Sequence, residues 1–310
     1  MPPSPRALTR AGVPRSLASW PRSAKRCDLS DRSPRRPVRS ISLSRSEIPM
    51  TSEHSDAHDR AIQDQFTRQA SGFAGARELH ADDVVALVVA AARPQPNDQA
   101  IDLACGPGSV ACAMAKRVRH VVGLDATAAM LEKARALAAR EGVGNAEWRF
   151  GDVYRTPFAD GSFDVVTCRF AFHHLETPAV AFAEMVRIAT PRARIVVCDA
   201  FASNDPEKAA ALNAMDRIRD PSTVGYRTLP DLRRLFEATG LEPSVQRFDV
   251  SYLAPDFVAR SFPLNDDRAG LLATIEASVD GDSMDTGAHW TPEGVRFAFR
   301  AAVLSAVKPG

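Results

Sequence analysis

Three short loops, each at the end of an apolar strand, carry residue types that can bind a nucleotide-like ligand. The first loop contains Asp102, Gly106 and Gly108, and its glycines let the backbone approach a ligand and turn into a helix without a Cβ clash. The second strand ends at Asp125, whose carboxylate can accept hydrogen bonds from both hydroxyls of a ribose, and Asp152 follows the third strand. Ligands of doubly wound sheets bind beyond the carboxyl ends of the strands, so the three loops predict one shared site.

Each of these residues also has a purely structural interpretation. Asp125 precedes a helix that opens near Thr127, where it would serve as the N-cap. Asp152 would be an ordinary turn residue, and Gly/Pro loops between a strand and a helix are common. The order of the three loops, each at a strand end, favours a binding site over three independent turns.

A histidine pair, His173 and His174, directly follows the fourth predicted strand, at the same edge of the sheet. Imidazole titrates near neutral pH, so we predict that one of these side chains acts as a general base. The structural alternative is that the pair caps the next helix or bonds to the backbone. Asp199, at the end of the fifth strand, and Tyr226 are weaker candidates for the base.

The elements that must position these residues alternate regularly between strand and helix. We predict strands at 100–103, 120–124, 146–150, 163–168, 194–198, 243–250 and 301–307, and helices at 58–70, 82–92, 109–117, 128–141, 178–188, 206–218 and 229–239. This alternation predicts an α/β fold with a doubly wound, mostly parallel seven-stranded sheet and helices on both faces. Helical patches near 256–260 and 267–279 predict a helical insertion near the C-terminus. The last strand is expected to pair with 243–250, although a helix is possible for its first half.

The motifs, taken in order, resemble those of class I S-adenosylmethionine-dependent methyltransferases, which have a Rossmann-like fold. D-x-x-C-G-x-G is followed by G-x-D with M-L, then by G-D and by P-F-x-D-x-S-F-D. The resemblance is strongest to the group that contains the ubiquinone and menaquinone C-methyltransferases, and it covers about residues 60–200. It implies an enzyme that uses S-adenosylmethionine as its cofactor.

The resemblance also implies a role for each loop. The first loop would hold the methionine part of the cofactor, Asp125 the ribose and Asp152 the adenine amino group, while Arg169 would lie beside the transferred methyl. The cofactor-binding residues predicted in this way are Phe66, Gln69, Asp102, Ala104, Gly106, Gly108, Asp125, Ala126, Met130, Asp152, Val153 and Arg169. Phe66 and Gln69 belong to an F-x-x-Q-A-x-x-F segment that folds over the cofactor in the family. An amphipathic helix face explains their spacing equally well.

The chain departs from the family pattern at two positions. Ala104 stands where the first loop usually has its first glycine, and Thr190-Pro191-Arg192-Ala193 replaces the usual Pro-Gly-Gly turn before the fifth strand. Beyond residue 200 the resemblance weakens. The Arg219-Asp220-Pro221-Ser222 segment resembles a recurring element of some relatives, without an assigned role. Substrate choice is expected to lie within 201–227 and 252–290.

Charge and composition divide the chain of 310 residues into two unequal parts. Residues 1–49 contain ten arginines and one lysine against three acidic residues, which leaves a net negative charge on the remainder. We predict a disordered basic extension at 1–49 and a single methyltransferase domain at 50–310, with a cofactor-binding core at 96–200 and a variable substrate region at 201–300. The extension would be a targeting peptide, a solvated tail or, in the interpretation we favour, sequence upstream of a true start at Met50.

Composition also limits the partners. The acidic body argues against a nucleic-acid partner, because phosphate contacts need a basic surface. No apolar run reaches the length of a membrane span. The five cysteines are odd in number and form no CxxC pair, which predicts buried thiols in a reducing, cytoplasmic setting and no metal site.

These observations predict methyl transfer to an O or C atom, or with less support an N atom, of a small molecule. The fourth strand is followed by Arg169-Phe170-Ala171-Phe172 and not by an N-P-P-[YF] segment, which argues against amine methylases of nucleic acids and glutamine. Two alternatives remain open. A nicotinamide-dependent oxidoreductase would use the same first loop and Asp125, and a non-catalytic protein would bind S-adenosylmethionine without transferring its methyl.

Overall fold

The computed structural model describes residues 56–72 and 81–310. The predicted basic extension at 1–49 and the choice of Met50 as a start lie outside the described residues. Within the described part, the regular elements surround one large sheet.

The sheet confirms the doubly wound, mostly parallel prediction. Its strands are β1 (Gln99–Leu103), β2 (His120–Asp125), β3 (Ala146–Phe150), β4 (Phe163–Arg169), β5 (Ala189–Ala200), β6 (Ser244–Leu253), β7 (His289–Thr291) and β8 (Gly294–Val307). They are ordered β3-β2-β1-β4-β5-β8-β6, and β7 pairs with β8 outside this path. The neighbouring pairs among β1–β5 are parallel, whereas β8 runs antiparallel to both β5 and β6.

The end of the chain corrects two details of the prediction. The final apolar stretch is a strand throughout and pairs with β6, with Ala301 opposite Phe248, so the helix alternative for its first half is wrong. The strand also begins seven residues earlier than expected, at Gly294. The eighth strand, β7, was not predicted, because three residues are too few to show an alternating pattern.

Nine α-helices occur among the described residues. They are α1 (Asp56–Gly72), α2 (Ala81–Ala92), α3 (Ser109–Ala115), α4 (Ala128–Glu141), α5 (Pro178–Ile188), α6 (Pro206–Arg219), α7 (Leu229–Glu237), α8 (Ala254–Ala259) and α9 (Arg268–Ala277). Local chemistry explains several helix starts. Asp205 accepts a hydrogen bond from the Glu207 N–H at the start of α6, and Thr228 and Asp231 form a capping box at the start of α7. Helices α8 and α9 form the predicted insertion near the C-terminus.

The sheet is buried on both faces, which holds its carboxyl edge rigidly in place. On one face, Phe182 of α5 and Phe236 of α7 pack against each other with ring centroids 4.3 Å apart. On the other face, α2 and α3 cover Ala100 and Val165. Each fully buried large apolar side chain contributes about 1.5–3 kcal/mol through the hydrophobic effect.

Two further features of the described residues concern membrane-spanning helices and cysteines. None of their helices combines the length and the apolar character needed to cross a bilayer. Four cysteines, Cys105, Cys112, Cys168 and Cys198, are buried and unpaired, in agreement with the predicted buried thiols.

Candidate active site

A cavity of about 1450 Å³ opens at the carboxyl ends of β1, β2 and β4, where the sheet order changes direction. The predicted residues that line it are Phe66, Asp102, Ala104, Gly106, Asp125, Ala126, Met130, Asp152, Val153, Arg169, His173 and His174. Two predicted residues are not among its lining. Gly108 packs beneath the first loop, and the side chain of Gln69 lies outside the described part of α1.

The first loop has a left-handed backbone conformation at three alternate residues. Ala104, Gly106 and Gly108 have φ values of 49°, 52° and 84°. A Cβ atom on Gly106 would meet nothing within 4 Å, so bare backbone faces the cavity there. A Cβ on Gly108 would lie 2.7 Å from Trp148 Cη2, so only glycine lets this ring close under the loop. The left-handed φ of Ala104 explains the family's usual glycine, since an L-residue there costs about 1–2 kcal/mol.

Asp102, at the end of β1, is a buried carboxylate without a cationic hydrogen-bond partner among the described residues. It is 2% exposed, and its Oδ1 accepts a hydrogen bond from Thr167 Oγ1 at 2.7 Å. Burial raises the pKa of Asp102 to about 7, although Thr167 and the charge of Arg169 act in the opposite direction. A ligand ammonium group would compensate this buried charge.

Asp125, at the end of β2, joins the first and second loops. Its Oδ2 accepts from the Gly106 N–H and its Oδ1 from the Thr127 N–H, each at 2.8 Å. Each carboxylate oxygen has two acceptor positions, so capacity for a pair of ligand hydroxyls remains. The interpretation of Asp125 as the N-cap of α4 is wrong, because Thr127 occupies that position.

Asp152, after β3, is a turn residue and also lines the cavity. Its Oδ1 accepts a hydrogen bond from the Tyr154 N–H at 2.8 Å, as a turn residue does. Its Oδ2 has no partner among the described residues, and the residue lines the cavity. The turn therefore leaves one oxygen available to a ligand.

His173 and His174 form a short 3-10 turn after β4, and both are buried. His173 Nδ1 lies 2.8 Å from Asp199 Oδ1, and the His173 backbone N–H donates to Asp199 Oδ2 at 3.0 Å. An ionised carboxylate only accepts hydrogen bonds, so Nδ1 carries the hydrogen and the Nε2 lone pair is left free. Burial disfavours the protonated ring, but the Asp199 carboxylate outweighs it and raises the pKa of His173. This arrangement is that of a general base oriented by a carboxylate.

His174 has the opposite character. Its Nδ1 lies 3.1 Å from the carbonyl oxygen of Ser222, and the Ser222 hydroxyl donates to Asp220 Oδ1 at 2.5 Å. Burial, followed by the neighbouring His173, lowers the pKa of His174 to about 4. A neutral ring with so low a pKa is a weak base at neutral pH, so geometry separates two residues that the sequence could not.

The acceptor side of the cavity is aromatic, and of its Tyr and Phe residues only Tyr226 was singled out in the sequence, as a weaker candidate for the base. Four aromatic side chains, which we call the aromatic chamber, line it: Tyr226, Tyr252, Phe257 and Phe299. Tyr226 and Tyr252 and Phe257 fall in the segments predicted for substrate choice. Phe299, on β8, lies outside these two segments but within the variable substrate region predicted at 201–300. The Arg219-Asp220-Pro221-Ser222 segment also contacts this part of the site, through Arg219 and Asp220.

Helix α1 contacts the site through the histidine turn. The Phe66 ring packs edge-on against His174 with centroids 5.0 Å apart, and His58 Nε2 lies 2.8 Å from the His174 carbonyl oxygen. Gln65 Nε2 donates to the Phe262 carbonyl oxygen at 3.3 Å. The amphipathic face of α1 is therefore part of the cavity wall, so the two interpretations of this segment describe the same residues.

Comparison with known proteins agrees with the fold and the order of the loops. Residues 101–197 match the model of a methyltransferase domain family. The chain is 25% identical over 246 residues to YcgJ, an uncharacterized methyltransferase of Bacillus subtilis, and the match covers 78% of this chain and 97% of that protein. The crystal structure of YcgJ superposes with a TM-score of 0.68, covering 74% of this chain and 99% of that one.

A second relative matches over a shorter span. The demethylmenaquinone methyltransferase of Lactiplantibacillus plantarum is 34% identical over 114 residues, which is 36% of this chain and 48% of that protein. Together the family match, the relatives and the fold show that this chain carries a class I, S-adenosylmethionine-dependent methyltransferase domain.

Proposed function

We propose that this protein transfers a methyl group from S-adenosylmethionine to an oxygen or carbon atom of a small apolar molecule, with His173 as the general base. The proposal divides the cavity into a cofactor half, formed by the loops after β1, β2 and β3, and an acceptor half, formed by the histidine turn and the aromatic chamber. The cofactor half fits the chemistry of S-adenosylmethionine, and the acceptor half fits a planar, largely apolar molecule.

The cofactor half offers partners for two polar parts of S-adenosylmethionine, its ammonium group and its ribose. The buried Asp102 carboxylate suits the ammonium group, and the free acceptor positions of Asp125 suit the ribose hydroxyls. The bare backbone at Gly106 allows close approach. When bound, the cofactor supplies an activated methyl on a sulfonium, so the protein's task is mainly positioning and proton removal.

His173 supplies the proton removal. Its free Nε2 takes the proton from the acceptor's hydroxyl or acidic carbon as that atom forms its bond to the methyl carbon and the carbon–sulfur bond breaks. The electron pair of that bond goes to sulfur, and Asp199 stabilises the resulting imidazolium. The contact between His173 and Asp199 beside the aromatic chamber is the observation that carries this assignment.

The direct test is a transfer assay with methyl-labelled S-adenosylmethionine and a panel of naphthols, menadiol and β-diketones. The relative named as a demethylmenaquinone methyltransferase motivates the choice of reduced naphthoquinones. We expect the wild type to label at least one compound and His173→Ala to lower kcat by about 10²–10⁴-fold with unchanged cofactor affinity. His289→Ala, on the exposed β7 strand, is the matched control. Equal rates for His173→Ala and the wild type would remove the base from the proposal.

A further inference from the structure

Arg219 is a partly exposed cation in the wall of the cavity that the proposed reaction does not use. It is the last residue of α6, and its guanidinium lies over the Phe257 ring of the aromatic chamber, 5.7 Å from the centroid. Its side chain is 21% exposed, and it is among the residues that line the cavity. Its charge opposes protonation of both His173 and His174, which places it electrostatically close to the base.

Asp216 fixes the orientation of this guanidinium. Arg219 Nε donates to Asp216 Oδ1 at 2.5 Å, and Nη2 donates to Asp216 Oδ2 at 3.2 Å. The Thr223 hydroxyl donates to the same Oδ2 at 2.8 Å, and Asp216 is fully buried. The ion pair therefore has a defined geometry, and its carboxylate is shielded from bulk water. The arginine consequently has little freedom to turn away from the cavity.

The remaining amino group of Arg219 is available to a ligand. A guanidinium has five N–H donors, and Nη1 has no acceptor among the described residues. Buried donors are nearly always satisfied, because an unmade hydrogen bond away from water is costly. A molecule that fills the aromatic chamber would exclude water from Nη1, so it must itself bring an acceptor atom.

The surrounding charges favour a neutral acceptor over an anion. Asp216 already neutralises Arg219, and two further carboxylates, Asp199 and Asp220, lie around the same part of the cavity. A second carboxylate brought by the ligand would meet these charges in a region of low dielectric. A carbonyl oxygen accepts the same hydrogen bond without this repulsion.

We propose that Arg219 Nη1 donates a hydrogen bond to a carbonyl oxygen of the methyl acceptor, so that the acceptors are aromatic carbonyl compounds. The inference rests on the proposed function. A hydrogen bond to a conjugated carbonyl withdraws electron density and makes a neighbouring hydroxyl or C–H more acidic. Arg219 would thereby both select the acceptor and help His173 to deprotonate it.

The test compares two probes of the same shape, 2-acetylnaphthalene and 2-isopropenylnaphthalene, of which only the first has a carbonyl oxygen. Their binding to the full chain saturated with S-adenosylhomocysteine is measured by equilibrium dialysis. We expect the wild type to bind the ketone about tenfold more tightly than the alkene, the size of effect typical of a hydrogen bond to a charged donor. Equal affinities, or tighter binding of the alkene, would overturn the proposal without any variant.

Two variants then assign the preference to Arg219. Arg219→Met paired with Asp216→Asn removes both charges of the ion pair together, so that no unpaired carboxylate is left buried, and it should abolish the preference for the ketone. Arg234→Met, an exposed position on α7, is the matched control and should keep it. Survival of the preference in the double variant, shown to be folded by its thermal melt, would contradict the assignment.

The same samples separate this inference from the proposed function. If S-adenosylhomocysteine fails to bind the wild type, the proposed function fails. If it binds to the wild type and to the double variant alike, but the two probes bind equally, only the role of Arg219 fails.

Discussion

The pKa values of the adjacent His173 and His174 are shifted in opposite directions because their Nδ1 atoms contact different groups. The Asp199 carboxylate raises the pKa of His173. His174 contacts only the Ser222 carbonyl and hydroxyl, and the neighbouring His173 lowers its pKa further. Burial acts in the same direction on both. A difference in hydrogen-bond partner thus goes with a raised pKa for one ring and a lowered pKa for the other.

The dependence of methyl transfer on pH follows from the His173–Asp199 contact. His173 acts as a base only when neutral, so kcat should rise with pH through the raised pKa of His173 and level off above it. Asp199→Asn removes the charge that raises this pKa, so the rising limb should move to lower pH while the plateau falls. The measurement is a pH–rate profile at saturating substrates, and a midpoint that does not move in the variant would contradict the assignment.

Asp102 should make the cofactor site a source of instability in the free protein. A carboxyl whose pKa rises from 3.8 to about 7 on folding binds its proton more tightly in the folded state. Stability is therefore lost as the pH rises from about 4 to about 7, and the loss is complete above pH 7. Asp102→Asn removes this cost, on the order of a few kcal/mol.

Thermal melts of the ligand-free protein check this prediction. Asp102→Asn should melt at a higher temperature than the wild type at pH 8, and the difference should shrink toward pH 4. The same variant should bind S-adenosylmethionine more weakly, because the neutral amide no longer attracts the ammonium group. A variant that is less stable than the wild type at pH 8 would show that ionised Asp102 is already compensated.

At the scale of elements, the first loop depends on a close contact between Gly108 and Trp148. Gly108→Ala combines a left-handed φ with a Cβ that would lie 2.7 Å from Trp148 Cη2, so we expect a loss of about 3 kcal/mol. Gly142→Ala, at the end of α4, has a similar φ but open space around its Cβ, so it should cost only about 1 kcal/mol.

Chemical denaturation of the two variants separates the contact from the backbone strain. The difference between their free energies of unfolding is the cost of relieving the contacts with Trp148 and with the Cβ of Ala134, which would lie 2.9 Å away. Equal losses for Gly108→Ala and Gly142→Ala would mean that both neighbours move aside freely, and the loop would then not need glycine for its packing.

The sequence predicted elements well wherever a run of apolar residues was long enough to show its period. Helices α4 and α5 and strand β3 begin and end where predicted. The short β7 hairpin strand and the first half of β8 were missed, since polar Arg296 and Arg300 on the exposed face interrupt the apolar run that marked 301–307. Phe299 lies in the part of β8 that was not predicted as strand.

The candidate site was predictable on its cofactor side and not on its acceptor side. Asp102, Asp125 and Asp152 follow strands directly, so parallel pairing alone brings them to one edge. Arg219 is the last residue of α6, and its place in the cavity depends on how the chain returns over the sheet from β5. Nothing in local sequence encodes that path, which is why the Arg219–Ser222 segment was noticed but received no role.

At the scale of the whole molecule, the chain separates into a strongly basic first segment and an acidic remainder. We keep the prediction that residues 1–49 do not take part in the fold, because Arg, Ser and Pro in that proportion supply too little apolar surface to offset ordering. Removal of residues 2–49 should leave the melting temperature unchanged and the affinity for S-adenosylmethionine within about twofold of the full chain's value. A large loss of either would make the segment part of the domain.

The sheet explains how so different a set of groups can be held within one cavity. Its strands are covered on both faces, and the strand ends and loops that carry Asp102, Asp152 and His173 lie at the same edge. Substrate choice can therefore vary in the segments after β5 without disturbing the cofactor half. The aromatic chamber and Arg219, all contributed by residues beyond 200, are consistent with this division.

Parallel calorimetric titrations of the protein with S-adenosylmethionine and with NAD test the central claim most directly. We predict micromolar binding of S-adenosylmethionine and none of NAD, with an affinity loss of about 1–3 kcal/mol in Asp125→Ala through the missing charge-assisted hydrogen bonds. Binding of NAD alone, or of neither compound, would contradict the assignment of this cavity to a methyltransferase.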